Sequence, residues 1–161
     1  MTGFAVANRI NNIDSASDVY PTSEFVPSTE PEGDNNAAIY ITRKASLAQA
    51  ATALKVFFSA NRDTDSEIKV LYKILRSDDA SDFDELGYRF FNDTGDPDTA
   101  TNPSLGRDDF QEYLYTAGVT DDGLGDALDP FIAFSIKIVM QSTNSAEPPR
   151  IKDFRAIALA T

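Results

Sequence analysis

The chain has 161 residues, a net charge of −12, and neither cysteine nor histidine. Its length and 42% hydrophobic content fit one core of ordinary size, so a single domain needing no disulfide or structural metal is expected. The missing residues exclude serine–histidine and cysteine–histidine nucleophiles and cysteine-based metal sites, and the acidity argues against nucleic acid and anionic membranes as partners.

Residues 1–35 read as an extended N-terminal arm. They hold Arg9 against six acids: Asp14, Asp18, Glu24, Glu30, Glu32 and Asp34. Pro21, Pro27 and Pro31 interrupt any helix or central strand. Scattered apolar residues, Phe4, Val6, Ile10, Val19, Tyr20, Phe25 and Val26, are more than a purely solvating tail would carry, and they are the interface candidates. The opening MTGFAVANRINN lacks an extended apolar run, so no secretory signal is expected.

Residues 36–161 read as a β-sandwich domain. Ala38–Lys44 alternates, with Ile39 and Ile41 opposite Tyr40 and Thr42. Ala45–Ala51 reads as a short helical turn or a connection. Leu54–Ser59 alternates again, and Glu67–Arg76 sets Ile68, Val70, Tyr72 and Ile74 against Lys69, Leu71, Lys73 and Leu75. The polar segment 61–65 between them suggests a hairpin. Lys55, Lys69, Lys73 and Lys137 fall opposite the main apolar stripes, which suggests solvated or edge-protecting positions, or pairing with acids of a neighbouring copy.

Tyr88–Phe91 and Phe110–Tyr115 are expected strands, separated by a turn-rich segment. Phe131–Met140 has the strongest period of two, with Ile132, Phe134, Ile136, Ile138 and Met140 on one face. Its β-branched content argues against a helix. Ile151–Leu159 follows Pro148 and Pro149 as the last strand. The two most apolar strands, near 68–75 and 131–140, are expected at the middle of their sheets. Seven or eight short strands with no long helix predict an all-β fold, an antiparallel jelly-roll-like β-sandwich.

Residues 93–129 carry ten acids and one arginine. Asp93, Asp96 and Asp98 form one group, and Asp121, Asp122 and Asp126 another. Acidic loops with glycine could supply oxygen ligands to calcium, but neither segment has EF-hand spacing, and aspartate is also an ordinary turn residue. No carboxylate pair stands out for catalysis, and no cofactor is implied, so an enzyme is not expected. Tyr88, Phe91, Tyr113 and Tyr115 could form a glycan platform or serve as core rings.

Three stretches, AIYITRKASL, LKVFFSANRDTDSEIKVLYKIL and FIAFSIKIVMQSTNSAEPPRIKDFRAIALAT, resemble a β-rich domain of virion structural proteins, tail or baseplate components, of T4-like tailed bacteriophages of marine bacteria and cyanobacteria. The resemblance covers about residues 36–161. It implies a virion location, other virion proteins and copies of the chain itself as partners, and no catalytic residue. A receptor- or glycan-binding module on the virion surface and a capsid decoration protein are the alternatives.

Overall fold

The computed structural model describes residues 37–118, 126–142 and 146–160. Eight strands lie among them: β1 (Ala37–Ile41), β2 (Ala45–Ala51), β3 (Ala53–Asn61), β4 (Ser66–Arg76), β5 (Arg89–Phe90), β6 (Gln111–Ala117), β7 (Phe131–Ser142) and β8 (Arg150–Leu159). All their pairings are antiparallel. The all-β expectation holds. The N-terminal arm and its interface candidates, Phe4, Val6, Ile10, Val19, Tyr20, Phe25 and Val26, lie outside the described residues.

One sheet has five strands, in the order β1–β7–β4–β5, with β2 also on β7. Strand β1 pairs with the second half of β7 and β2 with the first, so the two lie in tandem on one edge. Thr42 joins them. Its N–H donates to the Ile136 carbonyl, its Oγ1 accepts from the Ile136 N–H, both at 2.9 Å, and its own carbonyl accepts from Ser135 Oγ. The hydroxyl thus stands in for a ladder carbonyl where the strand is interrupted.

The expectation for Ala45–Ala51 needs correction: the segment is a strand. Its alanines favour helix locally, but the unpaired edge of β7 offers backbone partners, and the alternation of Ala45, Ser46, Leu47 and Ala48 between half-buried and exposed suits that edge. Tertiary pairing overrides a weak local preference.

The second sheet has three strands, β6–β3–β8. This corrects the hairpin expected for β3 and β4, which belong to different sheets. The segment between them crosses the edge of the sandwich and is held by Arg62. Arg62 donates to the Tyr113 hydroxyl (3.1 Å) and to the carbonyls of Ser66 (2.8 Å) and Thr101 (3.3 Å). Both strands alternate, and alternation is satisfied equally by one shared sheet or by two facing ones.

The inner faces meet in a single core. Leu54, Val56 and Phe58 of β3 and Tyr113 and Tyr115 of β6 pack against Ile68, Val70 and Tyr72 of β4 and Phe134, Ile136 and Ile138 of β7. Phe91, from a 3₁₀ turn at Phe91–Asp93, fills the space between the sheets, with ring centroids 4.7 Å from Tyr72 and 5.8 Å from Tyr115. The Tyr88–Phe91 segment therefore forms only a two-residue strand before turning inward. Strands β4 and β7 are central, as expected, but they are neighbours in the same sheet.

Two bulges set which residues face the core. In β7 the register against β4 shifts near its start, burying Phe131 completely and turning Ile132 out to 38% exposure. Ile132 thus leaves the face predicted for it. In β8, Asp153 adopts a left-handed backbone (φ 57°), and two residues oppose one of β3. Aspartate tolerates this conformation. The shift turns Ile151, Phe154, Ala156 and Ala158 inward and leaves Arg150, Lys152, Arg155 and Ile157 on the outer face. Gly118 closes β6 at φ 96°, where a Cβ would lie 2.5 Å from the Thr52 carbonyl oxygen, so only glycine fits there without displacing backbone.

Candidate interaction surface

The acidic loop candidates that the structure describes do not converge. Asp98 is used structurally: its carboxylate accepts from the Thr116 N–H (3.0 Å) and Asn92 (2.9 Å), while its own N–H donates to the Leu114 carbonyl (2.8 Å). This lays the loop along the outer edge of β6. Asp96 takes a hydrogen bond from Lys69 Nζ at 2.5 Å. Burial pushes the Asp96 carboxyl up, but its bonds to Lys69 and Thr94 outweigh this and hold it below the usual carboxylate range. Asp93 sits in a left-handed turn and Asp126 is exposed. Asp121 and Asp122 lie outside the described residues. Among the described residues, no three carboxylates are grouped as metal ligands.

The aromatic platform is not on the surface. Tyr88, Phe91, Tyr113 and Tyr115 are all buried. Phe58 stacks between Tyr113 and Tyr115 at 5.4 and 5.5 Å. Among the described residues the buried Tyr115 hydroxyl has no hydrogen-bond partner, and burial pushes its ionisation far above the ordinary phenol range. These rings serve the core.

The outer face of the five-stranded sheet is also largely closed. Lys137 is 0% exposed and Lys73 5%, which corrects the expectation that these lysines are solvated. The segment after β4 folds back and lays Phe83, from a 3₁₀ turn at Phe83–Glu85, and Tyr88 over them. Lys73 Nζ lies 4.8 Å from both ring centroids, Lys137 Nζ 5.2 Å from Tyr88, and Lys44 Nζ 5.0 Å from Phe83. The Tyr88 hydroxyl meets Ser135 Oγ at 3.0 Å. The ring faces supply the negative potential the buried ammoniums need, and Ile39, Leu71 and Val139 complete a small second core.

The outer face of the three-stranded sheet is different. Its register aligns Lys55, Phe57, Ser59 and Asn61 of β3 with Ile157, Arg155, Lys152 and Arg150 of β8 on one side, and Thr116, Leu114 and Glu112 of β6 on the other. The paired positions thus hold four cations and one carboxylate, with the exposed Asp153 beside them in the bulge, in a chain whose net charge is −12. Lys55 is buried, whereas Lys152 and Arg155 are exposed. Arg155 lies over Phe57 at 5.6 Å, and Arg150 and Lys152 lie over Phe110 at 5.3 and 4.1 Å. Arg150 also donates to Asn61 Oδ1 (2.9 Å) and to the Arg107 carbonyl. Among the described residues, no carboxylate pairs with Arg150, Lys152 or Arg155, whereas Lys69 pairs with Asp96 and Arg76 with Asp78 and Asp129. Ile157 adds an apolar side chain 43% exposed. Among the described residues, β8 pairs only with β3, so its other edge is open.

At one end this face runs into a cleft of about 590 Å³ whose lining includes Asn61, Asp63, Arg107, Glu147 and Arg150. A hydrogen bond shared with Asp63 raises the Glu147 carboxyl above its ordinary value, while the Thr64 N–H and Glu147 hold Asp63 below its own. Leu105 caps the loop beside the cleft and is 98% exposed.

Sequence reasoning did not single out Arg150, Lys152, Arg155, Phe57 or Phe110. The cation spacing in β8 was visible, but the bulge that brings Arg155 onto the face of Arg150 and Lys152 was not. No protein family, curated protein or solved structure matches this chain.

Proposed function

We propose that this chain is a structural subunit of a tailed-bacteriophage particle, a tail, baseplate or neck component, acting in the virion through contacts with other virion proteins and with copies of itself. The observation that carries this reading is the outer face of the three-stranded sheet. Exposed cations, rings and an exposed isoleucine lie there beside a strand edge with no partner strand among the described residues, on a molecule otherwise dominated by acids. Copies of so acidic a chain repel one another, and a local positive patch gives association a favourable register.

The resemblance of residues 36–161 to phage tail and baseplate domains supports the same reading. So does the connectivity. Strands β2–β7–β4–β5 oppose β8–β3–β6, with late strands returning to pair with early ones. We read this as a jelly-roll-like sandwich preceded by an extended arm, an architecture used in capsid shells. The apolar residues of the arm, Phe4 to Val26, supply anchors for neighbours.

Mass spectrometry of purified particles of the phage that encodes the chain tests the proposal. The expected result is recovery of its peptides at a fixed stoichiometry to the other tail proteins. Absence from particles whose remaining tail proteins are all detected overturns it. Recovery at capsid stoichiometry would favour a decoration protein instead.

A further inference from the structure

We propose that the outer face of the three-stranded sheet is the docking site for the acidic N-terminal segment, residues 1–36, of a neighbouring copy of the chain. This rests on the reading of the chain as an assembly subunit, and it names what occupies the open face.

Charge is the first argument. The face exposes Lys152 and Arg155, with Arg150 half-buried at its end, against Glu112, while Lys55 at the other end is buried. The segment carries six acids against Arg9. Lys152 and Arg155 are exposed, and among the described residues each meets only an aromatic ring, so their capacity for carboxylates is unused. Charge-assisted hydrogen bonds from these groups are the strong kind.

Apolar matching is the second. Phe57, Leu114 and Ile157 lie between the cations, and the segment spaces Val19, Tyr20, Phe25 and Val26 between its acids. The prolines at 21, 27 and 31 suit an extended peptide laid across a sheet and disfavour a helix.

Position is the third. The segment joins the domain at Ala37, at the start of β1. Tyr40 of β1 stands 6.0 Å from Phe154 of β8, ring to ring, so β1 and β8 border the same side of the sandwich. Ala37, the residue the segment is joined to, therefore begins the strand that borders β8. A copy apposed there presents its own basic face within reach, because 36 extended residues span up to roughly 120 Å. Two copies related by a two-fold axis would exchange segments reciprocally.

The test uses the full chain in sedimentation velocity across a concentration series. The first variant is Lys152→Glu with Arg155→Glu. Among the described residues neither side chain makes a hydrogen bond that holds the fold, and an unchanged thermal melt checks this. The second variant replaces the six acids of the segment with their amides. Wild type is expected to associate, and each variant to weaken association about tenfold or more. An equimolar mixture of the two variants is expected to regain association, because one intact segment then meets one intact face. Three results overturn the proposal: a wild type that stays monomeric throughout, a face variant that associates as wild type does, or a mixture no better than its components. A monomeric wild type whose segment resists proteolysis only while the face is intact would assign the docking to its own domain and likewise overturn the exchange. Particle mass spectrometry decides the subunit reading separately, so the two can fail independently.

Discussion

Both sheets carry cations against aromatic rings on their outer faces, and the two faces have opposite fates. On the five-stranded sheet, Phe83 and Tyr88 fold over Lys73 and Lys137 and shut them from water. On the three-stranded sheet, Arg155 and Lys152 lie over Phe57 and Phe110 but stay exposed. The geometry of each contact is similar, with cations 4–6 Å from ring centroids. The difference is in the cover. One face has a long connection, from β4 to β5, returning over it; the other is closed at Lys55 but leaves Lys152 and Arg155 exposed. A cation–aromatic contact does not by itself mark a binding surface. It becomes one when nothing in the domain closes over it.

Truncating the covering ring should produce the largest effect. Tyr88→Ala removes a buried ring and the hydroxyl that meets Ser135, and strips the cover from two lysines. We expect a loss of about 3–5 kcal/mol by urea unfolding. Phe57→Ala on the open face should cost about 1 kcal/mol by the same measurement. Equal costs would erase the distinction between the two faces.

Removing buried charge sharpens the contrast. Among the described residues Lys73 has ring contacts and no carboxylate partner. Lys73→Met keeps the stem and abolishes the desolvation penalty, so the expected outcome is stabilisation by about 1 kcal/mol. Lys152→Met, already in water, should move stability by less than about 0.5 kcal/mol. Destabilisation of the Lys73 variant would mean that the rings more than compensate for burial.

Within the core, Tyr115→Phe deletes a buried hydroxyl that has no partner among the described residues. A rise of up to about 1 kcal/mol is expected, because the lost group contributes only its desolvation cost. A fall in denaturation midpoint would show that the hydroxyl is in fact satisfied.

The smallest effect concerns Lys69 and Asp96. The Asp96 carboxyl is held below its unfolded value of about 3.9. Its contribution is therefore present above that pH and is lost as pH falls through the lower folded value. The pair is partly exposed, so Asp96→Asn should cost less than about 1 kcal/mol at neutral pH. It should also flatten the acid limb of the stability profile. An unchanged limb between pH 5 and 2 would remove Asp96 from the account.

Strand positions were readable in the chain where residues alternate strongly. Phe131–Met140 and Glu67–Arg76 both became central strands, because β-branched residues at period two are themselves the cause of a buried strand. Ala45–Ala51 was misread because an alanine-rich edge strand has no local signal that outweighs helix preference. The candidate surface was less legible than the fold. The lysines noted on the strands were visible, but three proved to be buried. The basic face depends on Asp153, whose left-handed backbone leaves no pattern in composition.

The sequence alone determined that this is an all-β chain, where most strands begin and end, and that histidine and cysteine chemistry is closed to it. These follow from residue identity and near-neighbour spacing. Tertiary structure decided which sheet each strand joins, since alternation is the same for a hairpin as for two facing strands. It also decided which cations are sealed and which are open. That depends on where a loop of distant origin comes to rest: over Lys73 and Lys137 in one sheet, and away from Lys152 and Arg155 in the other.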